Sequence, residues 1–386
     1  MRRIKLCDIC DFQGGSQPPK NQWIDSPQYG YIRMLQIRDF TQSEKVKPEY
    51  IKITSSSKVC NEDDILIARY GASVGKILTG LAGAYNVAIM KTIPDEEKIS
   101  KRFLFYFLSS QYFQNYIMNV GSRAAQAGFN KDDLQGISLK EYSLKEQADI
   151  CSILDEINVI IKKRKKQLKY IENVVKSRFI EMFGDMKLNK RGWKLKSFEE
   201  LTYLITDGEH ATPKRTDKGI YLLSARNILN HSLQLKDVDY INEKEYDRIA
   251  KRIIPQEGDI LISCSGTVGR CCSVPSGFHF QMVRSVALIR FKEYINPIFA
   301  EYMITSDYLQ EQINSSKTVS SQANLFQGKI RTLKGFVPPI EMQNEFSVFV
   351  HKIDKSKYYN FTSYKYCVLA AKLIRQEWML CQTLSF

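Results

Sequence analysis

Apolar residues recur through the middle of the chain in alternating steps of four and three. They run from Ile150 through Leu154, Ile157 and Ile161 to Leu168, Ile171, Val175 and Met182, with Arg164 and Arg178 filling the two remaining seam positions. Held over more than four heptads, this is the a/d pattern of a coiled-coil helix. Gly184 follows where a helix exits through a left-handed residue. At about 1.5 Å per residue the rod is on the order of 50 Å long, more than one small domain can wrap, so the pattern asks for a partner helix. A second, more broken seam supplies one: Phe346, Val350 and Ile353, then Tyr364, Cys367, Ala371, Ile374 and Trp378, with Lys357 and Asn360 as polar interruptions. A single amphipathic helix usually covers a local core. Two long ones, each after a globular-looking segment, predict an intramolecular antiparallel pair.

Ahead of each helix the pattern changes to short apolar runs bounded by Gly, Pro or charged clusters, which read as strands. Tyr31 to Ile37, Ile65 to Tyr70 and Val87 to Thr92 are such runs, and Lys101 to Met118 has helical spacing. Tyr221 to Ala225, Ile260 to Cys264, Val286 to Phe291 and a helix over Pro297 to Ile313 follow in the same order later in the chain. The fold class is therefore α+β, with strand-rich domains at 1–143 and 185–339, a central long helix at 144–184 and a C-terminal one at 340–386.

The parallel order reflects a true internal repeat. Asp64-Ile65-Leu66-Ile67, Gly71 and Val74-Gly75-Lys76 recur 195 residues later as Asp259-Ile260-Leu261-Ile262, Gly266 and Val268-Gly269-Arg270. At an offset of 196, Tyr106, Ser110, Tyr112, Gln114 and Ile117 match Tyr302, Ser306, Tyr308, Gln310 and Ile313, and Gln147 matches Gln343. Ile4-Lys5-Leu6 and Trp193-Lys194-Leu195 open the two copies. Between these landmarks the copies differ freely, as expected of one scaffold reading two targets.

A formal net charge of +14 and a pI near 9.2 add a polyanionic partner to this picture. The N-terminus has no apolar signal region, and the longest uncharged apolar run, Ile77 to Met90, is too short to span a bilayer and holds two glycines. The expectation is a cytoplasmic protein that meets nucleic acid rather than membrane. The nine cysteines and four histidines lack zinc spacing, Cys7-x-x-Cys10 having no second pair, and read as reduced apolar residues with no metal.

Catalytic signatures are likewise missing. Gly71 to Lys76 is one residue short of a phosphate-binding loop and is followed by Ile77 rather than a hydroxyl residue, so a glycine-permitted turn between strands is the better reading. Asp95-Glu96-Glu97 crowds its carboxylates into one charged loop, whereas metal-dependent cleavage gathers them from separate strands. No Asn/Asp-Pro-Pro-Tyr/Phe segment is present, and no Cys/His constellation stands out.

What the chain offers instead is basic and amide side chains on paired loops, suited to phosphates and base edges. In the first copy these are Ser16, Gln17 and Lys20, then Arg69, Tyr70 and Lys76, then Arg123, Gln126, Asn130 and Lys131. The matching places in the second hold His210, Thr212 and Lys214, then Ser265 and Arg270, then Ser321, Gln322, Asn324 and Gln327. The run Lys162 to Lys166 with Lys169 adds a basic flank to the central helix.

These features together resemble the specificity subunits of type I restriction–modification systems. The resemblance rests on Asp64 to Lys76 and its copy at Asp259 to Arg270, on Leu144-Lys145-Glu146-Gln147 and Ile340-Glu341-Met342-Gln343, and on Lys176 to Asp185. It implies two pseudo-twofold-related target-recognition domains, each reading half of a bipartite asymmetric DNA site. The helix pair would fix the unread spacer and dock two methyltransferase subunits, through which restriction subunits join. S-adenosylmethionine, ATP and magnesium would then belong to those partners, as would base flipping, and this chain would carry no cofactor or catalytic residue of its own. A stand-alone DNA-binding regulator, a degenerate orphan subunit and a coiled-coil adaptor are the competing readings; the first would bind DNA tightly without a methyltransferase.

Overall fold

The computed structural model of the chain describes residues 2–121, 128–315 and 324–380, with the backbone alone at 121, 356–359 and 375–380. Two compact units emerge, Met1–Lys165 with Phe361–Phe386 and Lys166–Asn360, so the division falls inside both long helices.

The two units share one plan. In the first, strands Cys10–Gly14, Ile89–Pro94, Leu66–Ala68 and Ile77–Leu78 form an antiparallel sheet in that spatial order. Strands Thr202–Asp207, Val286–Phe291, Ile260–Ser263 and Cys271–Ser273 form its counterpart in the second. A second sheet in each unit contains one parallel pair, Tyr31–Leu35 with Gly83–Tyr85 and Ile220–Leu223 with Phe280–Met282. Beyond that pair the sheets diverge. Val59–Cys60 extends the first unit's sheet beside Gly83–Tyr85, whereas Arg215–Thr216 extends the second's at its opposite edge.

The residues that reveal the repeat are buried polar anchors rather than exposed contacts. Asp64 accepts the Asn61 N–H at 2.8 Å and pairs with Lys91 at 2.5 Å; Asp259 accepts the Gln256 N–H at 2.8 Å and takes Arg290 bidentately at 2.7 Å. The Gln114 amide donates to the carbonyls of Leu108 and Gly75, and Gln310 to those of Ile304 and Gly269. Gly75 and Gly269 have φ of +80° and +91°, and a Cβ on either would come within 3.0 Å of that glutamine's oxygen. The positive φ favours glycine at both places, and the space for a Cβ there is tight. The Gly71–Ser73 segment is the turn between strands that the sequence predicts.

The single helices expected over Lys101 to Met118 and Pro297 to Ile313 are each two. They run Lys101–Leu108 and Gln111–Gly121 in one unit, and Pro297–Ile304 and Asp307–Ser315 in the other. The cause is a serine that restarts the helix. Ser110 Oγ accepts the Phe113 N–H at 3.3 Å and Ser306 Oγ the Leu309 N–H at 3.4 Å, while the glutamine four residues on takes a carbonyl left at the end of the first helix. The strand expected to Ile37 stops at Leu35, because the buried Asp39 carboxylate draws Gln36 into a helix cap over Ile37–Thr41.

The central helix spans Leu144–Phe183, opened by a Ser143–Glu146 capping box and closed by Gly184 at φ +82°. The C-terminal helix runs unbroken over Ile340–Leu380, through the polar positions Lys357 and Asn360. Every seam residue of the central helix is buried or half-buried: Ile150, Leu154 and Val175 fully, Ile157, Ile161, Leu168 and Ile171 partly. In the second unit Val175, Phe179 and Phe183 share a core with Phe346 and Val350, with Ile353 packed against it. Phe183 meets Phe346 edge-on at 5.6 Å, and Arg178 pairs with Glu345 at 2.9 Å. Ile171 and Ile353 line one cavity, so the helices run antiparallel there. In the first unit Ile374 packs on the core that holds Ile150 and Leu154; Ala371 is buried and Tyr364 half-buried.

Gln343 is fully buried, donating to the carbonyls of Tyr294 and Pro338 and accepting the Asn296 N–H. Gln343→Ala leaves these groups unpaired in the interior and should cost roughly 1–3 kcal/mol, read as a lower urea midpoint for the second unit. Exposed Gln17→Ala serves as the control, and equal midpoints for the two variants would contradict this assignment.

Candidate nucleic-acid interface

In each unit the repeated strand that follows Asp64 or Asp259 ends beside the loop that follows the paired helices. A single bridge marks the junction, Tyr70 with Gly128 in the first unit and Ser265 with Asn324 in the second. The glycine-led loop after the first sheet strand passes close by. Gly15 and Gly208 lie so near the neighbouring strand that a Cβ would fall 2.1 Å and 2.4 Å from its carbonyls, which only glycine permits.

In the second unit these elements enclose a cleft of about 430 Å³. It is lined by Asp207, His210, Ser265, Arg284, Asn324 and Gln327, with Phe326 at its edge 57% exposed. Four sequence candidates, His210, Ser265, Asn324 and Gln327, therefore come together. His210 Nε2 lies 3.1 Å from the Asp207 carboxylate. Gln327 donates its amide to the Ile205 carbonyl, a bond Arg331 shares at 3.1 Å, so it builds the wall of the cleft. Arg252 performs the same task for the loop, donating to the carbonyls of Gly208 and Asp207 at 2.9 Å. Burial pushes the Cys264 thiol up to about 12, so it lines the cleft as a neutral apolar group.

Thr212 and Lys214 lie on the exposed strand-ward continuation of this loop, the Lys214 N–H held by Glu245 at 3.2 Å. Arg270 is half-buried, its N–H bound to Ser263 Oγ at 3.0 Å, and does not line the cleft.

The first unit builds the corresponding place differently. Arg69 occupies the position of Cys264, donates to the Phe129 carbonyl at 3.1 Å and lies 5.0 Å from the Tyr70 ring. Tyr70 is 40% exposed and Val87 47%. Ser16 secures the loop, accepting from the Lys58 N–H at 3.3 Å and donating to the Ser56 carbonyl at 3.1 Å, and Gln17 stands exposed beside it. Lys20 is turned to the other sheet, paired with Glu49 at 2.5 Å over the Trp23 ring. Asn130 caps the turn at Asp132–Leu134, and Lys131 pairs with Asp11. Lys76 is exposed in the glycine turn. Arg123, Gln126, Ser321 and Gln322 lie outside the described residues.

Asp207, Arg284 and Val87 are the positions that sequence reasoning misses. Val87 and Arg284 precede a repeated strand, in a stretch where Asn86-Val87-Ala88 faces Val283-Arg284-Ser285 and the copies share no residue. The one available signal is an arginine isolated in an apolar run. Among the described residues no group of three or more His, Cys, Asp or Glu side chains is placed to hold a metal, and no helix is long and apolar enough to cross a membrane.

The arrangement presents hydrogen-bond donors and acceptors of both signs from a rigid frame, the chemistry of a surface that reads base edges. The chain matches the type I restriction modification DNA specificity domain over residues 1–170 and again over 190–359. The type I restriction enzyme MjaVIII specificity subunit of Methanocaldococcus jannaschii is 19% identical over 373 residues, covering 91% of this chain and 85% of its own. Among solved structures, one from a study of complex assembly and conformational transition in a type I restriction–modification system superposes with a TM-score of 0.57 at 15% identity, covering 97% of this chain and 96% of its own. The S subunit of a type I restriction–modification system from M. genitalium follows with a TM-score of 0.53 at 12% identity, covering 99% and 96%. At these identities the structural likeness speaks for the fold alone.

Proposed function

This chain belongs to the type I restriction–modification DNA specificity family, with two of the family's domains in tandem, and from that premise we propose that each domain reads one half of a bipartite, asymmetric DNA site. The observation that carries the reading is the contrast between a repeated frame and its unlike walls. Asp64, Gln114 and Gln147 recur in place and in hydrogen bonding, while the cleft positions do not: Arg69, Tyr70 and Val87 stand where the second unit has Cys264, Ser265 and Arg284. One frame with two chemistries is what two different half-sites require.

The chain would work without catalysis of its own. The long helices would set the unread spacer and dock methyltransferase subunits, two by the repeat, with restriction subunits joining through these. S-adenosylmethionine, ATP and magnesium would be needed only by the partners. The net charge of +14 supports a DNA-bound state that weakens with salt as phosphates regain their counterions.

Two predictions separate the parts of this account. Exchanging residues 1–143 for those of a related subunit should change one half of the methylated motif and leave the other intact; a change in both halves would contradict two independent readers. Deleting one heptad, residues 158–164, should alter the spacer or abolish methylation, and a motif with unchanged spacing would remove the helices from the role of ruler.

A further inference from the structure

We propose that Arg284 is a specificity-determining residue that reads a guanine in the half-site of the second domain; the inference rests on the reading of this chain as a two-domain DNA reader. The cations around the cleft divide into two kinds. Arg252 and Arg331 are committed to backbone carbonyls of the Ile205–Gly208 segment, at 2.9 to 3.1 Å, and hold the frame together. Arg284 lines the cleft, is exposed, and makes no side-chain hydrogen bond or ion pair among the described residues. Among the described residues nothing engages its guanidinium, which leaves those donors for a ligand.

The backbone beneath it is fixed. The Arg284 N–H donates to the Glu209 carbonyl at 3.0 Å, and Val283 bridges Glu209. On the other side Ser285 accepts the Ala225 N–H on its Oγ at 3.0 Å and the Cys264 N–H on its carbonyl at 2.8 Å. The fixed stem removes the backbone share of the ordering cost, so binding has only the side-chain rotamers of Arg284 left to order. The planar fork of donors matches the O6 and N7 acceptors of guanine, which adenine does not offer as a pair. Asp207 and His210, bonded to each other at 3.1 Å on the same wall, offer an acceptor suited to the amino group of the paired cytosine. Val87 takes the place of Arg284 in the first unit, so this recognition belongs to one half-site only.

The test maps methylated bases in a host genome for the complete complex of this chain with its cognate methyltransferase subunit, comparing the native chain with Arg284→Ala and Arg284→Gln. The native motif should contain a G·C pair in one half at which Arg284→Ala accepts other bases, with methylation of the original site falling roughly ten- to a hundredfold. Arg284→Gln should shift the preference there toward A·T, since an amide pairs with adenine. The other half and the spacer should be unchanged in both. A uniform loss across all sites with the motif intact would make Arg284 a phosphate contact and overturn the inference, as would an unaltered methylation pattern. A native complex that methylates no split motif would fail the parent reading before any substitution is made, and this inference with it.

Discussion

Two buried glutamines set the geometry on which everything else in this chain depends. Gln147 and Gln343 stand in the first turns of the long helices, where carbonyls and N–H groups from the preceding segment converge without partners of their own. Gln147 donates to Lys98 and Tyr142 and accepts from Ser100; Gln343 does the same with Tyr294, Pro338 and Asn296. An amide is an uncharged side chain that offers two N–H donors and a carbonyl acceptor at once. In each unit it fixes the start of a long helix to the segment that opens the paired shorter helices, and those in turn carry the glutamine that holds the glycine turn. The chain of constraint runs from rod to helix pair to turn to cleft wall, and every link is a neutral hydrogen bond inside the protein.

Because these links occur twice, to backbone groups at equivalent positions, they were legible in the sequence as a repeat. A buried polar residue that must satisfy particular backbone groups cannot drift, and the surface around it can. The seam of the central helix was legible for a related reason: burial on one stripe imposes a 4-3 alternation that no loop reproduces. What stayed hidden has an equally physical cause. The breaks at Ser110 and Ser306 leave helical spacing intact on both sides, so periodicity runs across them. Lys20, Asn130, Lys131 and Gln327 have the chemistry of DNA contacts, and in this structure they also bond to Glu49, the Asp132–Leu134 turn, Asp11 and the Ile205 carbonyl. The partners of Lys20, Lys131 and Gln327 are far away in sequence, so periodicity and spacing do not name them. Arg284 went unmarked because the two copies have nothing in common where it stands.

That division of labour carries the functional argument. The buried anchors Asp64, Gln114 and Gln147 repeat as Asp259, Gln310 and Gln343, while residues left facing the cleft differ, and membership of the type I DNA specificity family gives the difference its meaning. A frame anchored by repeated buried residues can change what it reads without changing how it folds.

The central claim is that one chain carries two independent readers. Methylation mapping of a genome exposed to this chain and its methyltransferase subunit tests it most directly. The account predicts a single motif split into two unlike specific halves by a spacer of fixed length that accepts every base. A continuous motif, or a motif with one specific half, would contradict it.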